Sequence, residues 1–284
     1  MTPPLLVDGS GFVHRAFHAF PPLVDPRQRP VGALYGFVRL LLPLLEKNPR
    51  VYVFFDAGRQ TFRHKLYAGY KASRAPTDPD LVVQFPWIRA FCEAFGVPYC
   101  EHLDFEADDL IASAATRFSA RGENCTIVSI DKDLCQMISP SIALYDPVKK
   151  ASVTREEVLR RYGVFPEKMV SFQALVGDPS DCVPGVPGVG PKKAMELLQP
   201  YDSLEDLYAH LHELPPPRRA LLEGHREQAF LSRDLVSLRR DINLPDFPVD
   251  RTFDISAARA FLEEFSFSTL LSTLDRLAPP LSAA

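Results

Sequence analysis

Three stretches of this chain end an apolar run on a carboxylate and a fourth opens one, and that pattern limits the fold more than any other feature. Asp8 follows Leu5-Leu6-Val7, Asp56 follows Val53-Phe54-Phe55, and Asp131 and Asp133 follow Ile127-Val128-Ser129-Ile130. The fourth stretch runs the other way, with Glu106, Asp108 and Asp109 opening the apolar run Leu110-Ile111-Ala112. Acidic residues suit the first turn of a helix, so 106–120 reads as a helix whose start is acid-rich. Asp178 and Asp181 in Gly177-Asp178-Pro179-Ser180-Asp181 complete a set of nine carboxylates.

The short β-branched and aromatic runs are strands of the kind buried on both faces of a parallel sheet. Expected strands lie at Leu5–Asp8, Val51–Phe55, Val97–Glu101, Cys125–Ile130 and Ile142–Tyr145, with a turn at Gly9–Gly11. Expected helices cover 31–47, 80–95 and 106–120. Strands alternating with helices predict an α/β domain over 1–153 with a doubly wound, mostly parallel sheet. Ligands of such sheets collect beyond the carboxyl ends of the strands, so the acids at strand ends should converge there.

From 154 the pattern changes to short helices with Pro and Gly punctuation. Thr154 caps one of them with Glu157 three residues on, and a second covers Pro166–Val176. A glycine-rich hairpin spans 183–196, and Asp241–Phe253 reads as an extended connector. Residues 154–284 are thus expected to form a helical C-terminal region.

With 284 residues, 46% of them hydrophobic, the chain can bury a full core. The longest apolar run, Leu40–Leu45, contains Pro43 and is far too short to cross a bilayer. Five cysteines without Cys-x-x-Cys spacing, and an N-terminus unlike a secretory signal, predict reduced thiols in a cytoplasmic protein. Nothing points to an oligomer, so a monomer is expected. The net charge of −4 disguises an uneven distribution. With the nine carboxylates set aside, 27 acidic residues face 32 basic ones, a remainder of +5. A mildly basic body around an acidic pocket suits a metal-dependent enzyme that acts on a polyanion.

Gathered carboxylates repel, and only a cation makes their joint ionisation tolerable. An all-oxygen ligand set selects Mg²⁺ or Mn²⁺ over zinc. So many acids exceed the needs of one octahedral ion, and two ions suit phosphodiester cleavage. After the Asp56 strand come Arg59, Arg63, Lys65, Lys71 and Arg74, interleaved with His64, Tyr67 and Tyr70, which read as a phosphate-binding and base-stacking surface. Lys71 is the candidate for electrophilic help at the scissile phosphate. In the hairpin, Gly185, Gly188 and Gly190 permit close backbone approach to a phosphate, with Lys192 and Lys193 adding charge.

These motifs together resemble one family. Gly9, Tyr35-Gly36, Phe55-Asp56-Ala57, Phe62-Arg63, Tyr70-Lys71, Arg74-Ala75-Pro76, Glu106-Ala107-Asp108-Asp109, Asp131-Lys132-Asp133, Gly177-Asp178-Pro179-Ser180-Asp181 and Gly185-Val186-Pro187-Gly188-Val189-Gly190 look like the 5′-nuclease domain of bacterial DNA polymerase I and its flap-endonuclease relatives. The resemblance covers roughly residues 5 to 275. It implies a 5′ to 3′ exonuclease that also cuts 5′ flaps, an arch or clamp near 59–85, and a helix-hairpin-helix element that holds duplex DNA with a monovalent cation such as K⁺. It further implies one metal group of Asp8, Asp56, Glu106 and Asp108, and a second of Asp109, Asp131, Asp133, Asp178 and Asp181. Catalytic roles are expected for Lys71, Arg74 and Asp109, with Asp109→Asn nearly abolishing cleavage. Nucleoid DNA is the expected partner, as 5′ ends, flaps or nicked duplex, with a polymerase or ligase by analogy.

The sequence departs from the family at Cys182, usually Asn, and at Lys193, usually Thr. Two rival readings are a DNA-structure-binding protein with weak catalysis, which has no use for nine acids, and a small-substrate phosphatase, which has none for the basic stretch.

Overall fold

The computed structural model describes residues 2–19, 22–58, 60–248, 252 and 254–277. Six strands, β1 (Leu5–Asp8), β2 (Val51–Asp56), β3 (Tyr99–His102), β4 (Cys125–Val128), β5 (Ile142–Asp146) and β6 (Ala151–Val153), form one sheet. Its order is β3-β2-β1-β4-β5-β6. The first five strands are parallel, and β6 runs antiparallel to β5. The short edge strand β6 was not expected from the sequence; pairing with β5 defines it.

Helices α1 (Gly9–Ala19), α2 (Gly32–Lys47), α3 (Phe62–Leu66), α4 (Pro79–Val82), α5 (Phe85–Ala94) and α6 (Ala107–Ala120) belong to this half. Alternate strand residues feed two cores, as the period of a strand requires. Leu6, Tyr52 and Phe54 pack toward Leu110 and Phe118 of α6, while Val7, Val53 and Phe55 pack toward Phe37 of α2 and Phe91 of α5.

Two local expectations change. The turn at Gly9–Gly11 is the first turn of α1, so β1 runs straight into a helix. The helix expected over 80–95 is two helices that meet at Gln84, whose side chain accepts from the Leu34 N–H (2.9 Å) and donates to the Asp80 carbonyl (2.6 Å). Pro86 lacks an N–H and suits the opening turn of α5, not the middle of a longer helix. Between 60 and 85, in the stretch expected to form an arch or clamp, the described residues form α3, α4 and connecting turns.

The C-terminal half is helical: α7 (Arg155–Tyr162), α8 (Met169–Val176), α9 (Pro191–Leu198), α10 (Leu204–Ala209), α11 (Pro216–Gly224), α12 (Arg226–Val236), α13 (Ile255–Glu264) and α14 (Ser268–Leu277). Thr154 caps α7 by accepting from the Glu157 N–H, and Gly163, at φ 73°, ends it. In the expected connector, residues 241–248 carry neither helix nor strand, while 249–251 and 253 lie outside the described residues. The core on the α6 face continues from Leu144 and Val153 into Val158, Met169 and Phe172. Phe261 of α13 and Leu274 of α14 return to the opposite face, in one cluster with Phe37 and Phe91. No helix among the described residues is long and apolar enough to cross a membrane.

Candidate active site

The order β2-β1-β4 sets three strand ends side by side where the succession of strands reverses, the usual position of a ligand crevice in such sheets. Asp8 ends β1. A Cβ on Gly11 would stand 2.2 Å from Asp8 Oδ2, so only glycine lets this carboxylate fold back over the start of α1. There Asp8 accepts from the Gly11 N–H (2.7 Å) and the Ser129 hydroxyl (2.8 Å). The same Ser129 oxygen accepts from the Asp131 N–H (3.0 Å), which joins the ends of β1 and β4. Asp56 ends β2; its N–H donates to Ser10 Oγ (2.8 Å), and its carboxylate accepts from the Ala107 N–H (2.8 Å) at the start of α6.

Seven of the nine expected acids, Asp8, Asp56, Glu106, Asp108, Asp131, Asp133 and Asp181, line one cavity of about 210 Å³ with His14, Tyr70, Lys71 and Arg74. Asp178 adjoins it: carboxylate oxygens of Asp133, Asp178 and Asp181 lie within 4.8 Å of one another. Their partners divide these acids into two kinds. Asp178 is bonded by Lys132 Nζ (2.8 Å), Asp133 by the Gln173 amide (2.5 Å), and Asp181 by Arg74 (2.5 Å). Lys71 Nζ reaches Glu106 (2.5 Å) and Asp181 (3.6 Å), while its N–H donates to the Asp181 carbonyl (2.9 Å) at a φ of 53°. Asp108, by contrast, accepts no side-chain bond or backbone N–H among the described residues.

Titration follows from this arrangement. Burial, opposed by the Gly11 and Ser129 bonds and aided by Asp131 and Asp56, raises Asp8 to about 7. Burial and then the charge of Asp131 raise Asp133 to about 7. Asp108 is raised well above the carboxylate range by burial and then by Asp131, Asp8, Asp133 and Asp56. Burial tends to raise Asp178 as well, but Lys132 and Ser180 hold it below its ordinary value. Hard carboxylate donors, ringed by like charge and lacking thiol or imidazole competitors except His14, fit a divalent cation of the Mg²⁺ or Mn²⁺ type.

A pH dependence follows. Acids raised in the fold stabilise it fully below their unfolded value, about 4, and lose that contribution as pH rises through about 7. The chelator-treated protein should therefore melt lower at pH 8 than at pH 5.5. Added Mg²⁺ should raise the melting temperature more at pH 8; an equal gain at both pH values would contradict this.

Several expected residues sit elsewhere. Asp109 is fully buried and is turned away from the cavity, which corrects its placing among the metal ligands. Its carboxylate accepts from Arg63 Nη1 (2.6 Å) and Nη2 (2.8 Å), the Arg239 N–H (2.9 Å) and the Glu106 N–H (3.1 Å), the last as half of a capping box on α6. Arg63, 2% exposed, also donates to the Leu235 carbonyl (2.7 Å) and to Glu106 (3.2 Å) at the cavity wall, so it ties α3 to α6 and α12. Tyr70 is 4% exposed at the cavity wall, with its hydroxyl on Glu106 (2.9 Å) and Asp181 (3.2 Å). Gly185, at φ 63°, is buried, and a Cβ there would lie 2.5 Å from the Gly177 nitrogen; it packs the hairpin against the end of α8. Arg59 lies outside the described residues.

Lys65, Gly188, Gly190, Lys192 and Lys193 are exposed as expected. Lys65 pairs with Asp104, and the Lys193 ammonium donates to the Gly188 carbonyl (2.8 Å). The sequence reading missed His14, Ser129 and Gln173. His14 was hidden by the supposed turn: once α1 starts at Gly9, His14 falls on the face of Ser10 and Gly11.

Residues 3–163 match the family described as 5′-3′ exonuclease, N-terminal resolvase-like domain, and residues 164–256 match 5′-3′ exonuclease, C-terminal SAM fold. A 5′-3′ exonuclease of Aquifex aeolicus is 37% identical over 96% of this chain and 95% of its own length. The chain belongs to the 5′-3′ exonuclease family. DNA polymerase I of Rhizobium leguminosarum is 41% identical over 93% of this chain, and the thermostable DNA polymerase I of Thermus thermophilus 40% over 98%. The chain spans only 28% and 34% of those two relatives. Two solved structures share its fold. The T5 5′-exonuclease with divalent metal ions (zinc) bound has a TM-score of 0.66 at 20% identity, covering 97% of this chain and 99% of that one. The catalytic core of Rad2 in complex with DNA substrate has a TM-score of 0.67 at 16% identity, covering 97% and 92%.

Proposed function

We propose that the chain is a Mg²⁺-dependent nuclease that works on DNA from the 5′ end, removing nucleotides in the 5′ to 3′ direction and cutting 5′ flaps. The observation that carries this reading is the convergence of seven carboxylates with Lys71 and Arg74 on one cavity. Two Mg²⁺ or Mn²⁺ ions, when bound, would supply the charge that activates an attacking water and stabilises the leaving 3′ oxygen. Asp8, Asp56, Glu106 and Asp108 would hold one and Asp133, Asp178 and Asp181 the other, with Asp131 between the groups. Lys71 and Arg74, paired with Glu106 and Asp181, are the cationic side chains placed to turn toward a scissile phosphate and orient it.

In this reading residues 1–153 are catalytic, with 59–85 as the clamp, and 154–284 hold duplex DNA through a helix-hairpin-helix element over 183–196. Gly188 and Gly190 and the charges of Lys192 and Lys193 would meet the phosphates, with Lys65 on the same strand path. A K⁺ ion at the hairpin would compete with the Lys193 ammonium for the Gly188 carbonyl. The setting is DNA replication and repair at the cytoplasmic nucleoid, as a monomer, beside a polymerase or ligase.

A flap and a nicked duplex labelled separately at the 5′ and 3′ ends test the reading. With Mg²⁺, the 5′ label should leave as short products while the 3′-labelled strand shortens only from its 5′ side. Shortening from the 3′ end, or hydrolysis of a small phosphate ester with the DNA left intact, would overturn it.

A further inference from the structure

Gln173 of α8 is 4% exposed and has one satisfied and one orphaned end. Its Nε2 donates to Asp133 Oδ1 (2.5 Å), whereas its Oε1 is buried without a hydrogen-bond partner. The carboxylate fixes the orientation of the amide, because a flip would set oxygen against oxygen. Buried amide oxygens are almost always paired, and an exception at a cluster of charged groups calls for an explanation. Oε1 shares its carbon with Nε2, so it lies next to the Asp133 carboxylate, one of the three acids of this group. The backbone adds a second link: the Gln173 carbonyl accepts from the Gly177 N–H (2.7 Å), and Gly177 leads into the turn that carries Asp178 and Asp181. One residue thus joins the two chain segments that supply this group's carboxylates.

We propose that Gln173 is a positioning residue for a divalent cation at this group, its N–H setting Asp133 and its free oxygen accepting from a water that the cation retains. The proposal rests on the two-cation reading above. Mg²⁺-like ions keep several waters when bound by carboxylates, and those waters need acceptors. Groups of this kind behind the ligands commonly change metal affinity by about 10–100-fold when removed.

The test uses the full chain, stripped with chelator and titrated with Mn²⁺ while free Mn²⁺ is followed by electron paramagnetic resonance. Gln173→Leu should weaken one of two Mn²⁺ sites by about tenfold and leave the other unchanged. It should raise the Mg²⁺ concentration for half-maximal flap cleavage by a similar factor, with kcat at saturating Mg²⁺ within about threefold. Gln173→Glu keeps an oxygen at this position but loses the N–H to Asp133, and should bind Mn²⁺ at pH 8 more tightly than Gln173→Leu while melting lower in chelator. Leu isotherms that superimpose on the native ones, or Glu weakened as much as Leu, would overturn the proposal. If the native chain takes up no Mn²⁺ and cleaves no DNA, the underlying reading fails instead.

Discussion

Asn in place of Asp108 is expected to slow cleavage by about three orders of magnitude, equivalent to ~4 kcal/mol of barrier, and to raise the melting temperature of the chelator-treated protein. Both effects have one cause. Asp108 stands among Asp8, Asp56, Asp131 and Asp133, accepts no compensating bond, and is driven far above the ordinary carboxylate range. Its ionisation destabilises the empty fold but supplies the charge a cation needs, an opposition often met where stability and activity conflict. An amide of the same shape removes the repulsion and the ligand together. Activity and thermal melting of the same preparation check this; a variant that cleaves normally, or melts lower in chelator, would contradict the role given to Asp108.

The neighbouring acid should behave in the opposite manner. Asp109→Asn is expected to destabilise the fold by about 3–5 kcal/mol, because it removes the bidentate partner of the buried Arg63 guanidinium and leaves it only the longer pair with Glu106 (3.2 Å). Arg63→Met should cost somewhat less, since it leaves the Asp109 carboxylate with two backbone N–H donors from Glu106 and Arg239. Below the melting transition, the folded Asp109→Asn protein should retain cleavage within about threefold of the native rate, because the carboxylate does not face the cavity. Urea denaturation alongside a cleavage assay at low temperature separates the two outcomes. An unshifted unfolding midpoint with cleavage abolished would restore Asp109 to the chemistry.

The contrast between Asp108 and Asp109 marks the limit of what the sequence disclosed. Acids at the ends of β1, β2 and β4 were legible because apolar runs of strand length end on them, and parallel strands present those ends to one crevice. Adjacent residues of a helix point about 100° apart. Asp108 therefore faces the cavity and Asp109 faces Arg63, and no local signal distinguishes them when the helix phase relative to the sheet is unknown. The basic stretch misled for a related reason. Arg63 and Tyr70 have the composition of a solvated face, yet they are buried, Arg63 against the Asp109 carboxylate and Tyr70 against that of Glu106. The hairpin glycines also look equivalent as letters. Gly185 is held by the Gly177 backbone, while a Cβ on Gly188 or Gly190 would meet nothing within 4 Å.

The most direct measurement is anomalous scattering from crystals of the native chain soaked in Mn²⁺. Two peaks are expected, one among Asp8, Asp56, Glu106 and Asp108 and one among Asp133, Asp178 and Asp181, with the first lost in Asp108→Asn. Manganese found only at surface carboxylates, in crystals of a protein that cleaves DNA when dissolved in the same buffer, would contradict the account.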